Sequence, residues 1–145
     1  MAAKQGAPSA EAKAIEEEMG QYRAIEAKQN DVLMTRQQFI MQLQENDMVK
    51  QELDRLGEDA GVFKLIGPVL IRQDLDEAKQ NVSKRMDFIK GEIQKTEKII
   101  EKNKQGMQEH GEKVIKMQGD LQAKAAAAAR DVIKEAQEEE EVEQD

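Results

Sequence analysis

Val62-Phe63-Lys64-Leu65-Ile66-Gly67-Pro68-Val69-Leu70-Ile71-Arg72-Gln73 is the one β-like stretch in a chain that otherwise reads as helix. Val62 to Ile66 and Val69 to Ile71 are rich in β-branched and aromatic residues, and Gly67-Pro68 between them breaks helix and reverses the chain. The reading is a β-hairpin over residues 61–73. Two short strands are marginal in water and leave both edges unpaired. Nothing else in the chain offers a strand, so the hairpin requires strands from other subunits. Val62, Phe63, Leu65, Ile66, Val69, Leu70 and Ile71, around the turn residues Gly67 and Pro68, form the candidate assembly surface.

Outward from the hairpin, both flanks carry a heptad pattern. Before it, residues spaced by three and four run through Ile15, Glu18, Tyr22, Ile25, Gln29, Val32, Arg36, Phe39, Leu43, Asn46, Lys50 and Leu53, which predicts a helix over 11–57. Gly57 and Gly61 end it. After the hairpin, Asp74 is placed to cap a second helix with Glu77 three residues on. Its seam is cleaner: Val82, Met86, Ile89, Ile93, Thr96, Ile100, Asn103, Met107, His110, Val114, Met117 and Leu121. Thr96, Asn103 and His110 recur every seven residues and predict a weaker middle. The polar entries Gln29, Arg36, Asn46 and Lys50 weaken pairing in the first helix but fix its register.

Two long helices joined by a short hairpin bury their seams by running antiparallel. The fold point between Ile66 and Gly67 sets Ile15 against the neighbourhood of Gln118 and Leu53 against that of Gln80. The fold class is therefore mainly α: a long antiparallel two-helix coiled coil joined by one β-hairpin that pairs with partner subunits. Residues 1–10, with Gly6 and Pro8, read as a disordered leader; residues 11–130 form the coiled-coil and hairpin domain, with the second helix over 74–130. Residues 131–145 read as a disordered acidic tail.

Composition narrows the function. Aromatic residues are 3% and charged residues 36%, too little bulk for a compact core and the profile of long solvated helices. The net charge of −8 is concentrated at the end: residues 134–145 hold seven acids against Lys134, which leaves the rest near balance at −2. A near-neutral body without clustered Lys and Arg argues against nucleic acid as a partner. There is no cysteine, no apolar leader of signal-peptide length and no run of about 18 apolar residues, so the expectation is a cytoplasmic protein without disulfides or membrane spans. His110 is the only histidine and has no cysteine to join it in a metal site. No serine or threonine has the neighbours of a nucleophile, and no glycine-rich loop precedes a phosphate-binding lysine. No enzyme activity, cofactor or metal is expected.

The segment Asn46-Asp47-Met48-Val49-Lys50-Gln51-Glu52-Leu53, the hairpin, Gln73-Asp74-Leu75-Asp76-Glu77-Ala78 and Val82-Ser83-Lys84-Arg85 together resemble the β-type subunits of the prefoldin family. The resemblance spans residues 15–122 in pattern and is most specific over 46–89. It implies a heterohexamer of two α-type and four β-type subunits whose hairpins join in a double β-barrel and whose coiled coils project from it. It also implies ATP-independent capture of unfolded polypeptides, such as actin and tubulin, and their delivery to a cytosolic chaperonin. The alanine run Ala125–Ala129 and the acidic end depart from the family pattern.

Two function classes follow: a holdase for non-native chains, and a structural coiled-coil adaptor that only oligomerises or spaces other proteins. An adaptor should close its ends tightly, whereas a holdase should leave apolar residues there accessible. At the ends far from the hairpin, Ile15, Met19 and Tyr22 come level with Val114, Met117 and Leu121, beside the helix-weakening Gly111 and Gly119. These six are the candidate substrate contacts, at the tip of a tentacle roughly 70 Å long by helical rise.

Overall fold

The computed structural model describes residues 6–7 and 9–144. Its elements are α1 (Ala10–Arg55), β1 (Val62–Ile66), β2 (Val69–Gln73) and α2 (Leu75–Glu143). The chain divides into two compact units. A hairpin unit comprises residues 28–103; a terminal unit comprises the described part of 1–27 together with 104–144.

Local chemistry sets the element ends. Ser9 Oγ accepts a hydrogen bond from the Ala12 amide at 3.2 Å, and its carbonyl accepts from Lys13, so α1 starts at Ala10. Most of the expected leader, residues 1–5 and 8, lies outside the described residues. The Leu56 amide donates to the Leu53 carbonyl and that of Ala60 to Gly57, and α1 stops at Arg55, two residues before the expected end. Asp74 Oδ2 accepts from the Glu77 amide at 3.3 Å and caps α2.

The far end of α2 differs from expectation. Residues 131–143 are helical rather than disordered, continuous with the rest of α2. After Gly119 the sequence contains neither glycine nor proline and is dominated by Ala, Glu, Gln and Lys, all strong helix formers, with Lys134 four residues before Glu138. Local propensity outweighs the repulsion among the glutamates. Every described side chain after Leu121 is nevertheless exposed, as expected for a segment without a partner helix.

In the hairpin unit, α1 and α2 pack antiparallel. Leu53, Ala78, Val82 and Met86 form the core beneath the hairpin, with Leu43, Val62 and Leu75 against it. Higher up, the polar seam residues Gln29, Arg36, Thr96 and Asn103 each find a hydrogen-bond partner. Gln29 Nε2 donates to the Ile100 carbonyl at 3.2 Å, and Asn103 Nδ2 donates to Gln29 Oε1 at 2.9 Å. Arg36 Nη2 donates to Glu97 Oε1 at 3.3 Å, and Thr96 Oγ1 donates to the Ile93 carbonyl. The weak middle expected from Thr96 and Asn103 is thus a hydrogen-bonded polar layer, apart from the buried Arg36 Nε, which has no partner among the described residues. Asn103→Leu should cost about 1–3 kcal/mol, because Gln29, only 8% exposed, loses the donor to its carbonyl oxygen. Adding Gln29→Leu should recover most of that loss in a urea titration followed by far-UV circular dichroism.

The terminal unit keeps the same register. Glu11 meets Lys124, Glu18 meets His110, and the Gly111 backbone lies beside the Tyr22 ring. A Cβ on Gly106 would stand 3.2 Å from Ile25 Cδ1, so a larger residue there would require the end of that side chain to shift by a few tenths of an ångström. All twelve seam residues of each helix are buried or half-buried.

Candidate functional site

Two surfaces stand out. The first is the hairpin. Gly67 has φ of 57° and precedes Pro68, whose ring fixes a negative φ; glycine first in a two-residue loop is the type II′ arrangement that matches the twist of the strands. The turn sets an antiparallel register with Ile66 opposite Val69, Leu65 opposite Leu70, Lys64 opposite Ile71 and Phe63 opposite Arg72. Directly opposed residues share a face. Phe63, Leu65 and Leu70 therefore lie on one face, and Ile66, Val69 and Ile71 on the other, so both faces are apolar near the turn.

All six are exposed, with Leu65 and Leu70 about two-thirds so. Only Val62, at the base, packs on the helices. The sheet has two strands, β1 and β2, with no further strand among the described residues. Phe63 and Leu65 also line a groove of about 290 Å³ with Val49 and Arg85.

The second surface belongs to the terminal unit and consists of two open apolar grooves. Met19, Tyr22 and Val114 line one of about 370 Å³, with Arg23, Glu26, Gly111 and Ile115. Gly111 lies beside the Tyr22 ring, where an added Cβ would rest in ordinary contact 3.7 Å from the ring edge. Met117 and Leu121 line another of about 500 Å³, with Ala10, Glu11, Ala14, Asp120 and Lys124. Five of the six expected contacts are thus gathered here. Ile15 is not: it is 8% exposed, lines neither groove and serves as core. Ile115, 71% exposed, lines the first groove from outside the seam, and an isoleucine at an outward heptad position is the signal for it in the sequence.

The electrostatics are simple. His110 Nδ1 lies 2.6 Å from Glu18 Oε2 across the helix pair, and both side chains are one-fifth exposed. Lys124 Nζ donates to Glu11 Oε1 at 2.6 Å; that hydrogen bond holds the Glu11 carboxyl below its ordinary range and raises the Lys124 ammonium. A lowered carboxyl stabilises above its unfolded value and loses the effect as pH falls through its folded one; a raised ammonium loses its effect at the alkaline end. The pair therefore contributes at neutral pH, weakly because both groups are solvent-exposed. Lys124→Gln should lower the thermal midpoint slightly at pH 7 and not at all once Glu11 is protonated, a difference readable by calorimetry at the two pH values. Among the described residues no cluster of three or more His, Cys, Asp or Glu is placed to hold a metal ion, and no helix is long and apolar enough to cross a membrane.

Known proteins match the chain over this same region. The family described as "Prefoldin subunit" matches residues 16–121. A probable prefoldin subunit 6 of Caenorhabditis elegans is 40% identical over 116 residues, covering 80% of this chain and 92% of the relative. Prefoldin subunit 6 of Arabidopsis thaliana is 42% identical over 95 residues, 66% of this chain and 74% of the relative. The human prefoldin subunit 6 is 34% identical over 117 residues, covering 81% and 91%. Among solved structures, the prefoldin beta subunit from Thermococcus strain KS-1 aligns with a TM-score of 0.67 over 76% of this chain and 93% of its own, at 18% identity, a likeness of fold. The alanine run and acidic end lie beyond the family match.

Proposed function

Because the chain belongs to the prefoldin family, we propose that it is a β-type subunit of a co-chaperone heterohexamer with α-type and other β-type subunits. Its similarity to relatives named prefoldin subunit 6 supports this reading. The hairpin joins the subunits by strand pairing, and the grooves of the terminal unit hold apolar segments of non-native polypeptide. The observation that carries this reading is a two-stranded sheet with exposed apolar side chains on both faces, which a stable protein covers with further strands or side chains.

Holding works by several weak contacts. An apolar groove contributes about 25 cal/mol per Å² of client surface it covers, so one groove binds weakly, and several subunits around one client bind tightly through effective concentration. Release needs no nucleotide, since each contact dissociates on its own. Unfolded actin and tubulin are the proposed clients, a cytosolic chaperonin the acceptor and the cytoplasm the location.

Reconstitution with candidate α-type and β-type subunits tests the proposal. The expected result is a species of hexamer mass that suppresses aggregation of denatured actin without ATP. A hexamer with no such suppression would leave only the adaptor role.

A further inference from the structure

The line of α2 that floors the second terminal groove does not stop with the groove. Met117, Leu121 and Lys124 line that groove, and the same spacing of three and four continues through Ala128, Asp131, Glu135 and Glu138 to Val142, all within one helix. Nearer the hairpin, such positions face α1. Beyond Lys124, which bonds Glu11 in the first turn of α1, they face no helix among the described residues and are exposed. Three carboxylates therefore stand in file with the floor of an apolar groove. Glu139 and Glu143 join Glu135 and Glu138 on one side of α2.

The charge of the chain is concentrated in this unit. Residues 28–103 hold 14 acids and 13 bases, a net of −1, whereas residues 1–27 and 104–145 together hold 16 acids and 9 bases, a net of −7. Among the described residues no carboxylate from Asp131 to Glu143 is in an ion pair, so only the nearby Arg130 and Lys134 offset their field.

We infer that the terminal unit selects client segments in which an apolar run has Lys or Arg about five to eight residues to one side: the run lies in the groove, and the bases lie on the acidic overhang of α2. The spacing follows from geometry. Asp131 to Glu138 stand roughly 15–26 Å along the helix from Leu121, and an extended client covers about 3.3 Å per residue. This deepens the reading of the grooves as client-holding surfaces and rests on it. Apolar contact alone is indifferent to what flanks the run, whereas the carboxylates attract basic flanks and repel acidic ones. Each exposed charge contact is weak, so selection requires several bases at once.

The test measures binding of fluorescein-labelled peptides to the assembled hexamer by anisotropy at low salt. One peptide joins a short apolar run to a block of lysines through a Gly-Ser spacer of about six residues. In two others serine or glutamate replaces the lysines, and in a fourth serine replaces the apolar run. The lysine peptide should bind about tenfold tighter than the serine peptide, the glutamate peptide more weakly than either, and the peptide without the run least of all. The lysine advantage should shrink at high salt and vanish when residues 134–145 are removed, with serine-peptide binding unchanged. Glu135→Gln with Glu138→Gln, which keeps the helix, should lower the advantage about threefold. Equal binding of the lysine and serine peptides, a lysine advantage that survives the removal, or a peptide without the run that binds as tightly as the full one would overturn the selection and leave groove holding in place. Loss of hexamer mass on removing 134–145 would assign the overhang to a subunit contact and overturn it as well. A hexamer that binds none of the peptides would overturn the holding reading itself.

Discussion

Phe63→Asp is expected to abolish entry into the hexamer while leaving the chain's own helices intact. Phe63 is 59% exposed in the chain by itself, so its replacement removes little internal packing and the far-UV spectrum should not change. In a joined barrel the same position is covered. The loss of a buried aromatic side chain is about 1.5–3 kcal/mol, and burying a carboxylate without a partner costs several kcal/mol more. Together these weaken association more than about a thousandfold. Phe63→Leu should assemble as the parent does. Ile71→Asp, on the opposite face of the sheet, should be as damaging if both faces are covered. Size-exclusion chromatography with light scattering reads all three, and a Phe63→Asp hexamer at parental yield would refute assembly through this sheet.

The second large effect concerns holding. Met19→Glu with Ile115→Glu places two carboxylates in one groove of the terminal unit, at positions outside the buried core. Hexamer mass should be retained, because neither residue is near the hairpin in sequence or contact. Suppression of aggregation should weaken, with several times more hexamer needed for the same protection, since an apolar segment would then desolvate charge to bind. Removing residues 1–22 together with 114–145 takes away both grooves and should eliminate protection. If the trimmed hexamer protected a denatured client at the parent's stoichiometry, the contact would lie elsewhere on the assembly.

Much of this was legible before any coordinates. The two seams, the antiparallel register and the hairpin follow from periodicity and turn chemistry, which are local or one-dimensional properties, and Arg36 against Glu97 or Asp54 against Lys79 lie where the fold point sets them. What the sequence hid is what depends on comparing energies or on three-dimensional pairing. The acidic end was taken for disorder because like charges repel, yet alanine and glutamate propensity carries α2 to Glu143. Gln29 and Asn103 looked like two separate defects, although the fold point sets them level; their hydrogen bond depends on side-chain geometry that periodicity does not carry. Ile15 is buried and Ile115 exposed for a similar reason: a seam pattern marks what is apolar, while access depends on the neighbouring helix. The hairpin's two faces were not distinguished, because they depend on which residues the turn sets opposite each other.

The two-residue turn at Gly67-Pro68 also orders events in time. Partners across the helix pair are separated by 61 residues at Arg36 and Glu97, 74 at Gln29 and Asn103, 92 at Glu18 and His110, and 113 at Glu11 and Lys124. Closing any one of these first carries a chain-entropy cost that grows with the separation, whereas closing each after its predecessor adds only a short loop. Folding therefore proceeds like a zipper whose slider starts at the turn, and reversal begins with the longest-range pairs. Amide hydrogen exchange should show protection falling steadily from residues near the hairpin toward Ala10 on α1 and Leu121 on α2. Uniform protection along both helices would mean that they open as one cooperative block. With the gradient, the terminal grooves are the last part of the fold to form and the first to let go.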